Sequence, residues 1–203
     1  MKIILFDWNG TLIDDIPIWY ESVKEVFFTF NRQPPTIAEY FSELEGDYLE
    51  IYRSCGVTSS REDLNAIYEP LYEARVHEAN LFSGVEKTLR TQQDHGTTMG
   101  IITAQKESLV SPLLSKFNLN QFLTYREYHA LDKKTTIQRI LEKERVDPQE
   151  CCFVGDAPSD IRHGKRAGVA TVALLSGYVP AYLLLNAEPD LCIFSIEELG
   201  EYS

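Results

Sequence analysis

Residues 2–12, KIILFDWNGTL, contain the segment that decides the fold. Four consecutive apolar residues, IILF, lead directly into Asp7, and Asn9 and Gly10 follow after one more residue. A continuous run of strand-forming residues that ends at an acidic residue and a glycine predicts a buried strand. Such strands belong to parallel sheets that are covered by helices on both faces. Asn9 places an amide two positions after the Asp7 carboxylate, where a second carboxylate might be expected. The chemistry that this amide permits has to be explained.

Short apolar segments alternate with amphipathic segments beyond residue 80. Strands are predicted at 98–103, 122–124, 151–155, 170–175 and 192–194, and helices at 85–93, 107–117, 134–145 and 161–167. Strands that alternate with helices in this way predict an α/β fold with a doubly wound parallel sheet.

Residues 15–80 have a different character. Aromatic residues are dense there, helical spacing is common, and no buried-strand pattern occurs. These features predict a small helical insert. The expected organisation is therefore an α/β core formed by residues 1–14 and 81–203, with residues 15–80 as a helical cap.

Composition limits the classes of function. The 203 residues carry a net charge of -12, which argues against nucleic-acid and membrane-surface partners. The N-terminal apolar run is too short for a signal peptide or a membrane span. The four cysteines form no CxxC pair, which suits a reducing cytoplasm. We expect a cytoplasmic monomer or homodimer whose partner is a small molecule.

Side chains that could bind a metal ion or take part in catalysis follow the predicted strands or come just before the predicted helices. They are one hydroxyl, one ammonium and three carboxylates: Thr103, Lys133, Asp7, Asp156 and Asp160. Ligands gather at the carboxyl ends of the strands in sheets of this kind. Carboxylates suit Mg²⁺, and Lys and Thr suit the oxygens of a phosphoryl group.

Four motifs, taken in order, resemble a known family. They are IILFDWNGTL at 3–12, GIIT at 100–103, DKKTTIQRIL at 132–141 and CFVGDAPSD at 152–160. Together they are similar to the haloacid-dehalogenase-like (HAD) superfamily, phosphatase branch. The resemblance covers about residues 1–14 and 81–199 and implies a Rossmann-like HAD core. Residues 15–80 occupy the position of the family's helical C1 cap.

The resemblance implies a mechanism centred on Asp7. This residue would attack phosphorus as the nucleophile and form an aspartyl-phosphate, which water then hydrolyses. Mg²⁺ would be bound by the carboxylates of Asp7, Asp156 and Asp160 and by the backbone carbonyl of Asn9. The implied activity is that of a Mg²⁺-dependent phosphohydrolase acting on a small phosphorylated metabolite.

The resemblance also implies a set of residues that bind the phosphate. Thr103 and Lys133 would bind its oxygens, while Gly10 and Thr11 would supply the turn and backbone donors beside it. The sequence leaves two alternatives open here. Spacing to the next helix favours Lys133 over Lys134, and Thr103 could serve as the N-cap of the helix that follows it, either alone or in addition to binding phosphate.

Asn9 departs from the family pattern, since HAD phosphatases usually carry Asp there as general acid and base. An amide cannot give up or take a proton at neutral pH. Three explanations fit: a slow or specialised phosphohydrolase, with Asp14, Asp15 or a cap residue as substitute base; a phosphoryl- or partner-binding protein with weak or no turnover; or an engineered change. We favour the first because the other chemical groups are all present. A scaffold that uses the aromatic insert for docking is a further alternative.

Overall fold

The computed structural model describes residues 1–42, 48–176 and 178–201. The strands of this part are β1 (Ile3–Phe6), β2 (Ile13–Asp14), β3 (Asn80–Leu81), β4 (Thr98–Ile102), β5 (Leu123–Glu127), β6 (Cys151–Gly155), β7 (Ala170–Leu174) and β8 (Leu191–Ile193). Six of them form one sheet in the order β5-β4-β1-β6-β7-β8, with every neighbouring pair parallel. The predicted fold class, a doubly wound parallel sheet, is confirmed.

The continuous apolar run of β1 is explained by burial on both faces of the sheet. Alternate residues of a strand point to opposite faces. Ile4 and Phe6 accordingly belong to one hydrophobic cluster, whereas Ile3 and Leu5 belong to a second. Neither face of β1 meets water, so no polar residue interrupts the run.

Helices cover both faces of this sheet. The helices of the described part are α1 (Ile16–Thr29), α2 (Ile37–Ser42), α3 (Leu49–Ser54), α4 (Arg61–Arg75), α5 (Val85–Asp94), α6 (Glu107–Lys116), α7 (Lys133–Glu144), α8 (Pro158–Ala167) and α9 (Ala181–Asn186). Leu89 of α5 and Leu113 of α6 pack in the first cluster, and Ile137 of α7 packs in the second. None of these helices is long and apolar enough to cross a membrane.

The order of the strands positions a crevice beside β1. The chain leaves β1 for β4 and β5 on one side of the sheet, then returns to β6, β7 and β8 on the other. Connections therefore diverge from β1 in opposite directions. A doubly wound sheet opens a crevice outside the carboxyl ends of its strands where the strand order reverses. The residues that follow β1, β4 and β6 are thus the ones that a ligand would meet.

In the described ranges, the helices α1 to α4 lie between β2 and β3, and we call residues 16–42 and 48–75 the helical insertion. The sequence did not predict β2 and β3, which are only two residues each and pair antiparallel where the insertion begins and ends. The insertion has an apolar cluster of its own, which includes Phe27, Tyr40, Tyr52 and Leu64. Its aromatic residues thus form much of its own core.

The start of α8 differs from the sequence prediction. The helix begins at Pro158 instead of Ile161, since proline is well tolerated in the first turn, where its missing N–H would have no helical partner. Asp160 consequently lies in the first helical turn, and its Oδ2 accepts a hydrogen bond from the N–H of Ala157 (3.2 Å). This geometry turns the Asp160 side chain back toward the end of β6.

Candidate active site

Three neighbouring strands bring the residues that follow them to one edge of the sheet. Asp7 follows β1, Thr103 follows β4 and Asp156 follows β6. The N–H of Asp7 donates to the carbonyl of Val154 (2.8 Å), and the N–H of Thr103 donates to the carbonyl of Glu127 (2.9 Å). The sheet ladders therefore extend through Asp7 and Thr103, which gives their side chains a rigid base.

The carboxylates of Asp7, Asp156 and Asp160 converge at this edge. One oxygen from each lies within 4.8 Å of the others. The three residues are only 8%, 5% and 1% exposed. Buried charges of the same sign need compensating positive charge. A group of carboxylate oxygens in this arrangement suits a hard divalent cation such as Mg²⁺.

Lys133, the first residue of α7, supplies part of that compensation. Its Nζ lies 2.7 Å from Oδ1 of Asp7 and 2.7 Å from Oδ1 of Asp160. The side chain of Asp132 caps α7 and fixes where the helix begins. Lys134 forms no salt bridge with any residue in the described ranges. The structure thus brings Lys133, and not Lys134, to the carboxylates.

Burial controls the electrostatics of this cluster. Burial raises the pKa of Asp7 to about 7, although the neighbouring Lys133 ammonium opposes the rise. Burial, together with the charges of Asp7 and Asp160, raises the pKa of Asp156 well above its ordinary value. Burial works to lower the pKa of Lys133, but the carboxylates of Asp160 and Asp7 outweigh it and raise that pKa. A bound divalent cation would relieve the repulsion among the carboxylates.

A tight turn follows β1 and supports the carboxylates. The carbonyl of Trp8 accepts hydrogen bonds from the N–H groups of Thr11 (3.4 Å) and Ile13 (3.0 Å). The N–H of Gly10 donates to the carbonyl of Ile13 (3.0 Å), and the Thr11 hydroxyl donates to Oδ1 of Asp156 (2.7 Å). The N–H groups of Gly10 and Thr11 are therefore used within the turn. That these two residues bind phosphate stays a prediction.

Thr103 is buried and faces the same site. Its hydroxyl oxygen accepts a hydrogen bond from the N–H of Gln105 (3.1 Å). The following helix, α6, begins only at Glu107 and has Lys106 as its N-cap. The alternative that Thr103 is a helix N-cap is therefore wrong, and its hydroxyl stays close to Asn9.

Asn9 is held in one orientation by two residues. Its Nδ2 donates to Oδ2 of Asp15 (2.8 Å) and to the hydroxyl of Tyr72 (3.1 Å), and the Tyr72 hydroxyl in turn donates to the same Asp15 oxygen (2.6 Å). Both N–H groups of the amide are used on this side. Its carbonyl oxygen therefore points the other way and accepts a hydrogen bond from the Thr103 hydroxyl (3.4 Å).

The family assignment can be made from most of the chain. A family profile described as haloacid dehalogenase-like hydrolase matches residues 4–174. The chain belongs to this family. The family and the hydrolase class that the four motifs predicted are both confirmed.

A curated relative agrees with this assignment, and solved structures agree with the fold. The hydrolase is 27% identical to a phosphoglycolate phosphatase of Pseudomonas putida over 98% of this chain and 78% of the relative. A solved haloacid dehalogenase-like family hydrolase from Streptococcus pneumoniae superposes with a TM-score of 0.82 at 20% identity, covering 100% of this chain and 98% of that one. A haloacid dehalogenase-like protein of unknown function from Agrobacterium tumefaciens gives a TM-score of 0.84 at 18% identity, over 100% and 97% of the two chains. The solved structures support the fold.

Two residues beside the predicted site lie outside the motifs of this hydrolase. Tyr72, on α4, is only 2% exposed. Nothing in the sequence distinguishes it from the many other aromatic residues of the insertion. Asp15 was one of several candidates for a substitute base, and it is buried with no partner for its Oδ1 among the described residues. Burial raises the pKa of Asp15, although hydrogen bonds from Tyr72 and Asn9 oppose the rise.

Replacing Gly10 with alanine should disable the site of this hydrolase more than it destabilises the fold. Gly10 has φ +73°, and a Cβ there would lie 2.2 Å from Oδ2 of Asp156. We expect a stability loss of about 1–2 kcal/mol from the left-handed backbone and roughly 100-fold lower kcat/KM because Asp156 is displaced. Gly96→Ala is the matched control, since Gly96 has φ +76° and nothing within 4 Å of the added Cβ. Equal activity in the two variants, measured alongside thermal unfolding, would contradict this account.

Proposed function

We propose that this hydrolase is a Mg²⁺-dependent phosphatase that acts on a small phosphorylated metabolite through an aspartyl-phosphate on Asp7. The observation that carries the proposal is the convergence of three buried carboxylates and Lys133 at the carboxyl edge of the sheet. The name of the Pseudomonas putida relative, phosphoglycolate phosphatase, supports a phosphate ester as substrate.

The residues present fit a magnesium ion. Asp7, Asp156 and Asp160 offer oxygens that lie close together, and the backbone carbonyl of Asn9 is a further proposed ligand. Gly10 leaves room for the Asp156 carboxylate, which a side chain at that position would displace. When bound, Mg²⁺ would neutralise the carboxylates and draw charge from the phosphoryl oxygens.

Asp7 is the proposed nucleophile. One of its oxygens forms a bond to phosphorus while the bond from phosphorus to the leaving-group oxygen breaks, and the leaving group keeps the electron pair. Lys133, now 2.7 Å from Asp7, is positioned to pair with a phosphoryl oxygen carried on that carboxylate. The Thr103 hydroxyl would donate to another phosphoryl oxygen. The oxygen of a water then forms a bond to phosphorus while the bond from phosphorus to the Asp7 oxygen breaks, so Asp7 returns as a carboxylate and inorganic phosphate leaves; the proton of the water passes to the phosphate or to solvent.

Asn9 sets the substrate preference in this proposal. Its side-chain carbonyl oxygen is oriented toward Thr103 and can accept a hydrogen bond from the attacking water. The amide can neither take a proton from that water nor protonate a leaving group. Alkyl phosphates need a proton at the departing oxygen, whereas acyl and aryl phosphates leave without one. We therefore propose that this phosphatase is fastest on phosphorylated compounds with acidic leaving groups, namely acyl phosphates and aryl phosphate esters.

We also propose that residues 15–80 act as a cap over a core of residues 1–14 and 81–203. The Lys106 ammonium pairs with Glu69 (2.7 Å) and Glu73 (2.8 Å) of α4, which ties the helical insertion to the loop after β4. The Tyr72 hydroxyl ties α4 to Asp15 at the base of the insertion. A cover of this kind would exclude water during phosphoryl transfer. The cytoplasmic location and the monomeric or homodimeric state stay predictions.

The direct test is phosphate release with and without Mg²⁺. Acetyl phosphate, p-nitrophenyl phosphate and phosphoglycolate span leaving groups that need progressively more help from a proton donor. The proposal expects Mg²⁺-dependent release that is fastest for acetyl phosphate and slowest for phosphoglycolate. Silence on all three, together with retained binding of Mg²⁺ and of a phosphate analogue, would replace this proposal with the phosphoryl-binding alternative.

Stability should depend on pH and Mg²⁺ together. Because the pKa of Asp7 is raised from 3.8 to about 7, the folded protein without metal binds this proton more tightly than the unfolded chain does. That contribution to stability is complete below about pH 4 and is lost as the pH rises through about 7. Mg²⁺ binds the ionised carboxylates, so it should stabilise the protein more at about pH 8 than at about pH 5.

Thermal unfolding measures this difference. With Mg²⁺ at about 100 times its Kd, we expect the unfolding temperature to rise by about 5–10 °C at pH 8, relative to an EDTA control. KCl at matched ionic strength should give no such rise. The same increase at both pH values would mean that the cation does not bind at the titrating carboxylates.

A further inference from the structure

Helix α4 connects the interior of the helical insertion to the hydrophobic cluster beside the sheet. Leu64, near the start of α4, belongs to the insertion's own cluster. Tyr68, one turn further on, packs against that cluster and against the first cluster of the sheet. Tyr72 and then Val76, at the end of the helix, are buried members of the first cluster. Residues four apart lie on one face of a helix, so this face carries Tyr72 out of the insertion and into the core.

Both ends of the Tyr72 side chain are held in place. The ring stacks on Tyr68, with centroids 5.5 Å apart. The hydroxyl donates to Oδ2 of Asp15 (2.6 Å) and accepts a hydrogen bond from Nδ2 of Asn9 (3.1 Å). Burial and the neighbouring Asp15 carboxylate raise the pKa of Tyr72, so the hydroxyl keeps the proton that it donates. The fold therefore sets the position of this hydroxyl before any substrate binds.

A second hydrogen-bond partner matters for the Asn9 amide. The torsion that turns the amide group of an asparagine is broad and has no sharp staggered minima. With Asp15 as its only partner, the amide would keep one N–H free and would turn about a single hydrogen bond. Tyr72 accepts from the second N–H, so the side-chain carbonyl of Asn9 is held toward the hydroxyl of Thr103 (3.4 Å).

The two steps of the proposed reaction depend on this carbonyl to different degrees. Transfer of the phosphoryl group from acetyl phosphate to Asp7 releases acetate, which needs no proton, so the Asn9 side chain contributes little. In the second step, the oxygen of a water bonds to phosphorus while the bond from phosphorus to the Asp7 oxygen breaks, and the proton of the water passes to the phosphate or to solvent. A hydrogen bond from this water to the Asn9 carbonyl would hold it in line for attack.

We infer that Tyr72 is a positioning residue for hydrolysis of the aspartyl-phosphate, and that it acts through the orientation of Asn9. The inference rests on the proposed phosphatase function and gives a residue of the helical insertion a part in the second step. A tyrosine with a purely structural role would affect both steps through the stability of the fold. A residue that positions Asn9 for the water affects the second step alone.

Tyr72→Phe removes the hydroxyl and keeps the stacked ring. With acetyl phosphate and Mg²⁺, mass spectrometry of acid-quenched samples should show Asp7 phosphorylated at nearly the unmodified rate. Loss of the phosphate from Asp7 should be about tenfold slower or more, so the phosphorylated protein accumulates. Tyr20→Phe is the matched control, because the Tyr20 hydroxyl donates to the carbonyl of Pro35 (2.6 Å) within the insertion, and both rates should stay unchanged. Equal slowing of the two steps in Tyr72→Phe, or of neither, would overturn the inference.

Asn9→Ala tests whether Tyr72 acts through the amide. In an Asn9→Ala protein there is no amide to orient, so adding Tyr72→Phe should leave the rate of aspartyl-phosphate hydrolysis unchanged within about twofold. A further tenfold loss in the double variant would show that the Tyr72 hydroxyl acts by another route, and the inference would be wrong.

NMR of the Asn9 side-chain amide separates this inference from the phosphatase proposal, because its hydrogen bonds exist without substrate. In the unmodified protein its two protons should exchange with solvent about tenfold more slowly, or more, than those of the exposed Asn31. Slow exchange that Tyr72→Phe abolishes, in a protein that forms no aspartyl-phosphate, would sustain the contact and refute the phosphatase proposal, and with it the step assigned here. Phosphate release from a protein whose Asn9 amide exchanges as fast as that of Asn31 would sustain the phosphatase and refute the positioning.

Discussion

Asp7→Asn should abolish phosphate release, with kcat lowered by roughly a million-fold, the size of loss found when a covalent nucleophile is removed. The amide is nearly isosteric with the carboxylate, so the main change is chemical. It cannot form the acyl phosphate, and it binds a hard cation poorly. The fold should survive because Lys133 keeps its contact with Asp160 (2.7 Å). Release of phosphate from acetyl phosphate measures the loss.

The EDTA-treated Asp7→Asn variant should unfold at the same or a higher temperature than the unmodified protein. The substitution removes one of three buried like charges, and that charge is among the causes that raise the pKa of Asp156. Asp190→Asn is the matched control, because Asp190 lies just before β8 at the edge of the sheet and its carboxylate accepts a hydrogen bond from the hydroxyl of Thr171 (2.7 Å). It should retain activity within a few-fold. If Asp7→Asn keeps a tenth of the activity, another residue is the nucleophile.

The sheet could be predicted because its central strands are buried on both faces. Runs such as IILF and CCFVG have no polar interruption, and turns and helices separate them clearly. The strands β2 and β3 could not be predicted, because two residues carry no periodicity. Their pairing depends on how the helical insertion packs, and that is not a local property of the sequence.

Much of the site could be predicted because its residues directly follow strands or begin a helix that the sequence reveals. Asp7, Thr103 and Asp156 each directly follow a strand that the sequence reveals, and parallel strands end at one edge. Lys133 was distinguished from Lys134 only by helix spacing, and the ion pairs with Asp7 and Asp160 now support that preference. Positions fixed by regular elements are thus accessible to sequence reasoning.

The partners of Asn9 could not be predicted, because they depend on tertiary packing. Tyr72 reaches Asp15 only when α4 lies across the end of the core, and the two residues are 57 positions apart. The role of the Thr11 hydroxyl, which bonds Asp156 across the site, was hidden likewise. The contacts with Tyr72 and Asp15 determine how the amide at position 9 is oriented, which the family motif alone does not reveal.

Asn9 and Asp15 form a matched pair. We therefore expect a carboxylate at position 9 to raise kcat/KM for phosphoglycolate strongly only when the carboxylate at position 15 is removed. In Asn9→Asp alone, two buried carboxylates would face each other across the present 2.8 Å contact. They would have to share a proton, or one would have to turn away. We expect Asn9→Asp to raise kcat/KM for phosphoglycolate only slightly, although a general acid and base normally contributes roughly 10²–10⁴-fold.

The double substitution Asn9→Asp with Asp15→Asn exchanges the two groups and keeps the network. The Tyr72 hydroxyl, which now donates to Asp15 and accepts from Asn9, can donate to the new carboxylate and accept from the new amide. We expect this variant to hydrolyse phosphoglycolate roughly 10²–10⁴-fold faster than the unmodified protein.

Acetyl phosphate is the control for this exchange, because its leaving group needs no proton and its rate should change far less. A kinetic double-mutant cycle over the four proteins measures the coupling between positions 9 and 15. If Asn9→Asp gives the full gain and Asp15→Asn adds nothing, the two positions are independent and Asp15 has only a structural role. Strong coupling would mean that the amide at position 9 is matched to the buried carboxylate beside it, so the single family residue cannot be restored alone.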